Sequence, residues 1–223
     1  MAIKFIDYPL HEGQYVKTAS TKTHVVWHGT QGRTNQTPFN GKPGKATSSI
    51  DGWNTDSLGR VGATYLIDRN GDTYRCFQEK YWIYHPGLTG TDGKYDKKAV
   101  GIELANELCL LDSNGKYYAF DKISPNTEYT GTAFKRSWRN FQHWARLDEA
   151  QVDAAIALTL DICQRNNITP KFYSPSTTYD YPACFEKATI ICHSNCRKDK
   201  VDLLLESWVW DKIEAAGIKI VKN

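Results

Sequence analysis

Within ten residues of each other, His193, Lys200 and Asp202 combine metal-ligand and proton-transfer chemistry. A neutral imidazole and a carboxylate so placed can ligate one divalent cation, and zinc suits that borderline donor pair. A catalytic zinc needs a third protein ligand and an open position for water, so the chain must supply one more donor. The best candidate lies far upstream, where the run Val25-Val26-Trp27 reads as a short strand with His28 at its C-terminal end. For a histidine taken alone, the commoner role is a surface or hydrogen-bonded core residue.

The elements around these residues must bring them together. Ile190-Ile191 predicts a short buried strand ending at His193, followed by a polar loop able to curl back toward the same point. From 29 to 62 the chain is rich in Gly, Thr, Ser and Asn without a sustained period, which predicts a long loop at the rim of whatever His28 serves. Residues 63–77 alternate aliphatic and aromatic side chains around Asn70-Gly71 and predict a β-hairpin. Tyr81-Trp82-Ile83-Tyr84-His85-Pro86-Gly87 then gathers rings and a histidine into a turn, and 89–98 reads as a further loop. The strand predicted for 99–106 carries one carboxylate, Glu103. It faces either solvent from an edge strand or a cavity, and at a cavity its proton affinity can be tuned for general-base work.

Asp148 reads as the N-cap of a helix that brings Val152, Ile156, Leu160 and Cys163 to one face and ends at Asn166-Asn167. A second amphipathic helix is predicted from Asp202 to Ala216, with Leu204, Leu205, Trp208 and Ile213 toward the core. Trp208 and Trp210 read as packing and rim residues. A length of 223 residues without a proline-rich or low-complexity linker predicts one domain over 1–223. The net charge of +3 is too small to argue for nucleic acid and mildly favours an acidic polymer. Met1 to Ile6 is too short for a secretory signal, and no run of eighteen apolar residues occurs, so the expectation is a protein made in the cytoplasm, without a membrane partner. In that compartment the six cysteines are expected mostly as free thiols.

Other chemistries fare worse. HExxH and GxSxG are absent, and Gly41-Lys42-Pro43-Gly44-Lys45-Ala46 fails as a phosphate loop because no Ser or Thr follows the lysine. Cys184, Cys192, His193 and Cys196 are close enough to suggest a closed structural zinc site but lack a paired CxxC knuckle. Cys196, three residues after His193, competes with Asp202 as third ligand. So short a return would force Ser194 and Asn195 into a tight turn against the metal, whereas the longer reach to Asp202 also allows Lys200 to lie beside a substrate carbonyl.

Taken in order, Trp27-His28, Tyr65-Leu66-Ile67-Asp68-Arg69-Asn70-Gly71, Tyr84-His85-Pro86-Gly87, Val100-Gly101-Ile102-Glu103-Leu104 and His193 with Lys200-Val201-Asp202 resemble the zinc-dependent N-acetylmuramoyl-L-alanine amidases of type 2, which include phage lytic enzymes, peptidoglycan recognition proteins and recycling amidases. The resemblance spans about residues 22–205 and implies an α/β domain with a central mixed β-sheet flanked by helices. It implies Zn2+ held by His28, His193 and Asp202, with Glu103 as the catalytic carboxylate and Lys200 polarising the substrate carbonyl. It also puts His85 beside the substrate cleft, with Trp82 and Thr64 as further substrate-binding residues. The lytic enzymes' catalytic tyrosine and the histidine after it are Ala63 and Thr64 here, which leaves Glu103 as the general base, and Asp202-Leu203 lacks the usual proline. Segments 29–62 and 108–147 look longer than the family minimum. The implied partner is peptidoglycan or a muropeptide, cut by a monomer at the bond between the lactyl group and L-alanine. The expected role is that of an endolysin reaching the wall through a holin; the alternatives are a cytoplasmic recycling enzyme and a non-catalytic peptidoglycan-binding module.

Overall fold

Parallel strands buried on both faces read as near-continuous apolar runs, and the runs at 24–29 and 99–104 are the middle of such a sheet. The computed structural model describes residues 3–38, 42–55, 59–119 and 127–222. The chain begins with β1 (Phe5–Asp7), β2 (His24–Gly29), α1 (Ser48–Thr55), β3 (Tyr65–Ile67), β4 (Thr73–Arg75), α2 (Lys94–Lys98) and β5 (Ala99–Leu104). Then come β6 (Cys109–Ser113), β7 (Lys116–Ala119), β8 (Ala133–Trp138) and β9 (Phe141–Ala145). The remainder is α3 (Glu149–Arg165), β10 (Lys171–Ser174), α4 (Ala183–Lys187), β11 (Ile190–Cys192), α5 (His193–Cys196), α6 (Ser207–Ala215) and β12 (Lys219–Lys222). The main sheet is eight-stranded in the order β1-β4-β3-β5-β2-β11-β10-β12, and only the β3–β4 hairpin is antiparallel within it. The mixed α/β sheet is the architecture the sequence predicts.

Period-two alternation sends neighbouring residues of β2 and β5 to opposite faces. Val25, Trp27, Val100 and Ile102 pack beneath α3 and α6 with Val152, Ile156, Ile162, Val209 and Ile213. The Trp27 Nε1–H donates to Thr159 Oγ1 at 2.9 Å, so the one polar atom of that ring is satisfied within the core. Burying each such aliphatic or aromatic side chain contributes about 1.5–3 kcal/mol. On the other face, Val26 and Ile191 pack with Tyr173, Cys184 and Phe185 under α4. His28 and Glu103 extend that second face at the C-terminal ends of their strands, where the helices stop covering it.

Several expectations change. The segment 29–62 is not all loop: α1 lies within it, because Ile50 is buried against Leu66 and Ile83, while residues 39–41 and 56–58 lie outside the described residues. With only Ile50 and Trp53 as apolar anchors, that helix shows no sustained period. The 89–98 loop ends in α2. The second predicted helix begins at Ser207, not Asp202, because 202–206 is neither helix nor strand: Leu203 and Leu205 turn to the main core and Leu204 to a cluster with Cys109 and Trp144. Trp210 packs on Phe172 at 5.2 Å and Trp208 beneath Arg146 at 5.4 Å, as packing residues should. Asp148 occupies the N-cap position of α3 without capping it, since its Oδ2 accepts instead from Arg69 Nη1 at 3.1 Å and Gln36 Nε2 at 3.2 Å. The 108–147 segment builds a separate four-stranded antiparallel sheet, β7-β6-β9-β8, with 120–126 outside the described residues. All six cysteines are free thiols.

Candidate active site

The parallel register of β2 and β5 pairs His28 with Glu103, and that of β2 and β11 carries the chain from Ile191 beside Val26 to His193 one residue past the strand end. His193 opens the single turn of α5, after which the chain returns so that the Ser194 N–H donates to the Asp202 carbonyl at 2.7 Å. That contact closes the loop expected from the polar run. The Asp202–Leu203 peptide is cis, with leucine in the place of proline. The Gly29 N–H donates to Asp202 Oδ2 at 3.3 Å and ties the carboxylate to the end of β2.

Three donor atoms converge as a result. His28 Nδ1 and His193 Nδ1 are 2.9 Å apart, and Asp202 Oδ2 lies 3.4 Å from the first and 3.1 Å from the second. Among the described residues this is the one group of three or more His, Cys, Asp or Glu side chains able to hold a metal ion. Ligands about 2.0–2.2 Å from a tetrahedral zinc stand about 3.3–3.6 Å from each other, so the donor set is close to the spacing the ion requires. All three residues are buried yet line an open cleft of about 480 Å³.

Electrostatics follow from that enclosure. Burial and then His193 push His28 down to about 4, which keeps its imidazole neutral and able to ligate. Burial would raise the Asp202 carboxyl, but the charge and hydrogen bonding of His193, then His28, hold it below the ordinary carboxylate range. Glu103 goes the opposite way: burial and the nearby Asp202 raise it well above the usual range, with Lys200 opposing. Its Oε2 is enclosed and makes no hydrogen bond, which places it at the cavity and not on an edge strand. Glu103 and Lys200 both line the cleft with the three donors. One carboxylate fitted to remain charged and another that holds its proton more strongly are suited to ligation and to proton transfer respectively.

The other expected site residues divide. His85 lines the cleft, with its ring against His28. Thr64 is buried at the start of β3 through backbone bonds to Gly101 and Cys76, and Trp82 packs against Tyr84 and Lys97; neither lines the cleft. Cys196 points into the apolar cluster under α4, with its thiol on the His193 carbonyl at 3.2 Å, so it does not join the donor set. Cys192 and Cys184 lie on opposite faces of the sheet, which removes the closed cysteine site. The walls the sequence reading missed are Trp53 of α1, Val61, Leu108 and Phe141. They are scattered apolar residues without a local signal, brought in by α1 and by the second sheet.

The family profile of N-acetylmuramoyl-L-alanine amidase matches residues 18–202, and the chain belongs to that family. Its members of type 2 share this mixed sheet. Solved structures with the same fold include the N-acetylmuramoyl-L-alanine amidase LysC from Clostridium intestinale, at 15% identity and a TM-score of 0.51, covering 98% of this chain and 100% of that one. The catalytic domain of XlyA matches at 13% identity and 0.52 over 96% and 99%. AmiD from E. coli, an N-acetylmuramyl-L-alanine amidase solved with the substrate anhydro-N-acetylmuramic acid-L-Ala-D-gamma-Glu-L-Lys, matches at 19% and 0.52 over 92% and 61%. No curated protein sequence matches the chain. Among the described residues no helix is long and apolar enough to cross a membrane.

Proposed function

We propose that this chain is one zinc-dependent amidase domain over 1–223 that hydrolyses the amide between the lactyl group of N-acetylmuramic acid and L-alanine. The observation that carries the reading is the convergence of two imidazole Nδ1 atoms and one carboxylate oxygen at a cleft that also holds Glu103, whose Oε2 is enclosed and makes no hydrogen bond. His28, His193 and Asp202 are the ligands. The chemistry that bound zinc supplies is Lewis acidity, toward the scissile carbonyl and toward a water whose proton becomes removable near neutral pH. Glu103 takes that proton and passes it to the departing nitrogen, while the water's hydroxyl joins the carbonyl carbon as the C–N bond breaks. Lys200 donates to the carbonyl oxygen as it becomes anionic, an effect commonly worth about 3 kcal/mol for a single donor. His85 borders the substrate.

Purified protein loaded with zinc and given peptidoglycan should release stem peptides and no new reducing sugar ends; reducing ends would make it a glycosidase. Binding without turnover would make it a recognition module. The biological role that best suits the mildly basic surface and the walls added by α1 and the second sheet is host-wall lysis by a monomeric endolysin released through a holin. Intact sacculi compared with soluble anhydro-muropeptides test it, since a cytoplasmic recycling enzyme should ignore the former.

A further inference from the structure

The turn from Tyr84 to Gly87 touches both histidines of the donor set on their other ring nitrogen. His85 Nδ1 lies 3.0 Å from His28 Nε2, and the Pro86 carbonyl lies 3.2 Å from His193 Nε2. A carbonyl only accepts, so once Nδ1 of His193 is given to a metal its Nε2–H has an acceptor in place; without metal, Asp202 Oδ2 at 3.1 Å from Nδ1 competes for the same proton. His85 Nε2 completes no hydrogen bond, so the contact with His28 is the ring's one side-chain hydrogen bond. With His28 Nδ1 on a metal, the proton of His28 is on Nε2 and His85 Nδ1 is the acceptor that faces it at 3.0 Å.

The turn is built to stay there. Buried Asp96 of α2 accepts the backbone N–H of His85 at 2.9 Å and of Gly87 at 3.2 Å with one oxygen. Gly87 has φ +57, and Gly101 on β5 leaves the space the ring fills, since a Cβ there would lie 3.0 Å from His85 Nδ1.

We propose that His85 is a positioning residue, not primarily a substrate contact: together with the Pro86 carbonyl it offers an acceptor to the Nε2–H of each ligating histidine, so that both Nδ1 atoms are left to the metal beside Asp202. This rests on the ligand assignment above. Groups that hold a ligating imidazole in this way commonly contribute 10- to 100-fold in metal affinity.

The test uses the whole chain. Long-range 1H–15N NMR of the zinc-loaded protein near pH 7 should show both His28 and His193 protonated at Nε2, with Nδ1 given to the metal; an Nε2 ligand on either overturns the proposal even in an active enzyme. In His85→Phe, which keeps a ring but no acceptor, zinc affinity measured against a chromophoric chelator should fall about 10- to 100-fold and the His28 Nε2–H of the zinc-loaded form should exchange faster with solvent, with that of His193 unchanged. His85→Asn keeps an acceptor near the Nδ1 position and should restore most of the affinity. Equal loss in the two variants, or no loss in a folded His85→Phe, would overturn the assignment. Should the phenylalanine variant not fold, the wild-type tautomers and the asparagine variant still decide. A wild type with the expected tautomers and tight zinc but no cleavage of peptidoglycan would instead sink the amidase reading alone.

Discussion

His28 and Glu103 sit opposite each other in the register of β2 and β5, so one imidazole of the donor set and a carboxyl group whose Oε2 makes no hydrogen bond emerge side by side at the same end of the sheet. Neither strand end can shift by one residue without turning Trp27 or Ile102 out of the core. The placement of the pair is thus held by burial elsewhere.

The first prediction separates those two roles. Glu103→Gln should fold and bind stoichiometric zinc while losing activity by about 100- to 10,000-fold, the range for a general acid–base group. Metal analysis and turnover on one preparation check it: near-wild-type turnover removes Glu103 from the mechanism, and loss of zinc moves it among the ligands.

A second concerns the same carboxyl group without metal. Its folded-state affinity for the proton is raised, so its contribution to stability is fully present at acid pH and is lost as pH rises toward the raised folded value. Metal-free Glu103→Gln should therefore melt above metal-free wild type at pH 7, and the gap should close near pH 4, where the glutamate is protonated folded or unfolded. A gap independent of pH would show that ionisation is not its cause.

The ligand assignment makes opposite demands on two residues of one loop. Asp202→Ala, like His28→Ala and His193→Ala, should lower zinc occupancy and activity together, because two protein ligands hold the ion poorly. Cys196→Ser should keep both, its thiol facing the apolar cluster. Zinc loss in the serine variant with retention in Asp202→Ala would reverse the assignment.

Lys200→Met keeps the apolar stem and removes the charge. It should lower kcat by about 100-fold with a small change in KM, as expected for a donor that acts on the developing oxyanion. An effect confined to KM would make Lys200 a substrate-binding group.

Far from the chemistry, Arg69 and Glu107 form a buried ion pair in which Glu107 also accepts from Thr34 and Thr37 of the loop after β2. Glu107→Ala leaves the buried guanidinium only the part-exposed Asp148 as a charge partner and removes the acceptor of Thr34 and Thr37, and should cost about 3 kcal/mol in denaturant unfolding. Arg69→Met together with Glu107→Leu should cost less than that single change. A loss below 1 kcal/mol in the single variant would contradict the pairing.

Much of the molecule is written in local pattern. The apolar run before His28, the alternation around Asn70-Gly71, the period of α3 and the strand carrying Glu103 each depend on one stretch of chain, and each appears in the structure. Burial of a strand or helix face demands its own periodicity, and that demand is visible in the residues themselves. The third ligand is different, because Cys196 and Asp202 are both plausible donors near His193. The choice falls to the turn of α5, which sends the thiol beneath α4, and to the return of the loop onto Ser194.

The same holds for the cleft. Trp82 and Thr64 belong to the right segment but pack away from it, while Trp53 and Phe141 come from elements whose proximity no local pattern encodes. His28 meets His193 across 165 positions and His85 across 57, and which ring nitrogens face each other is set only when the sheet, the Asp96-held turn and the vacancy at Gly101 are assembled. Residue type limits what each side chain can donate or accept; the direction in which it does so is decided by packing.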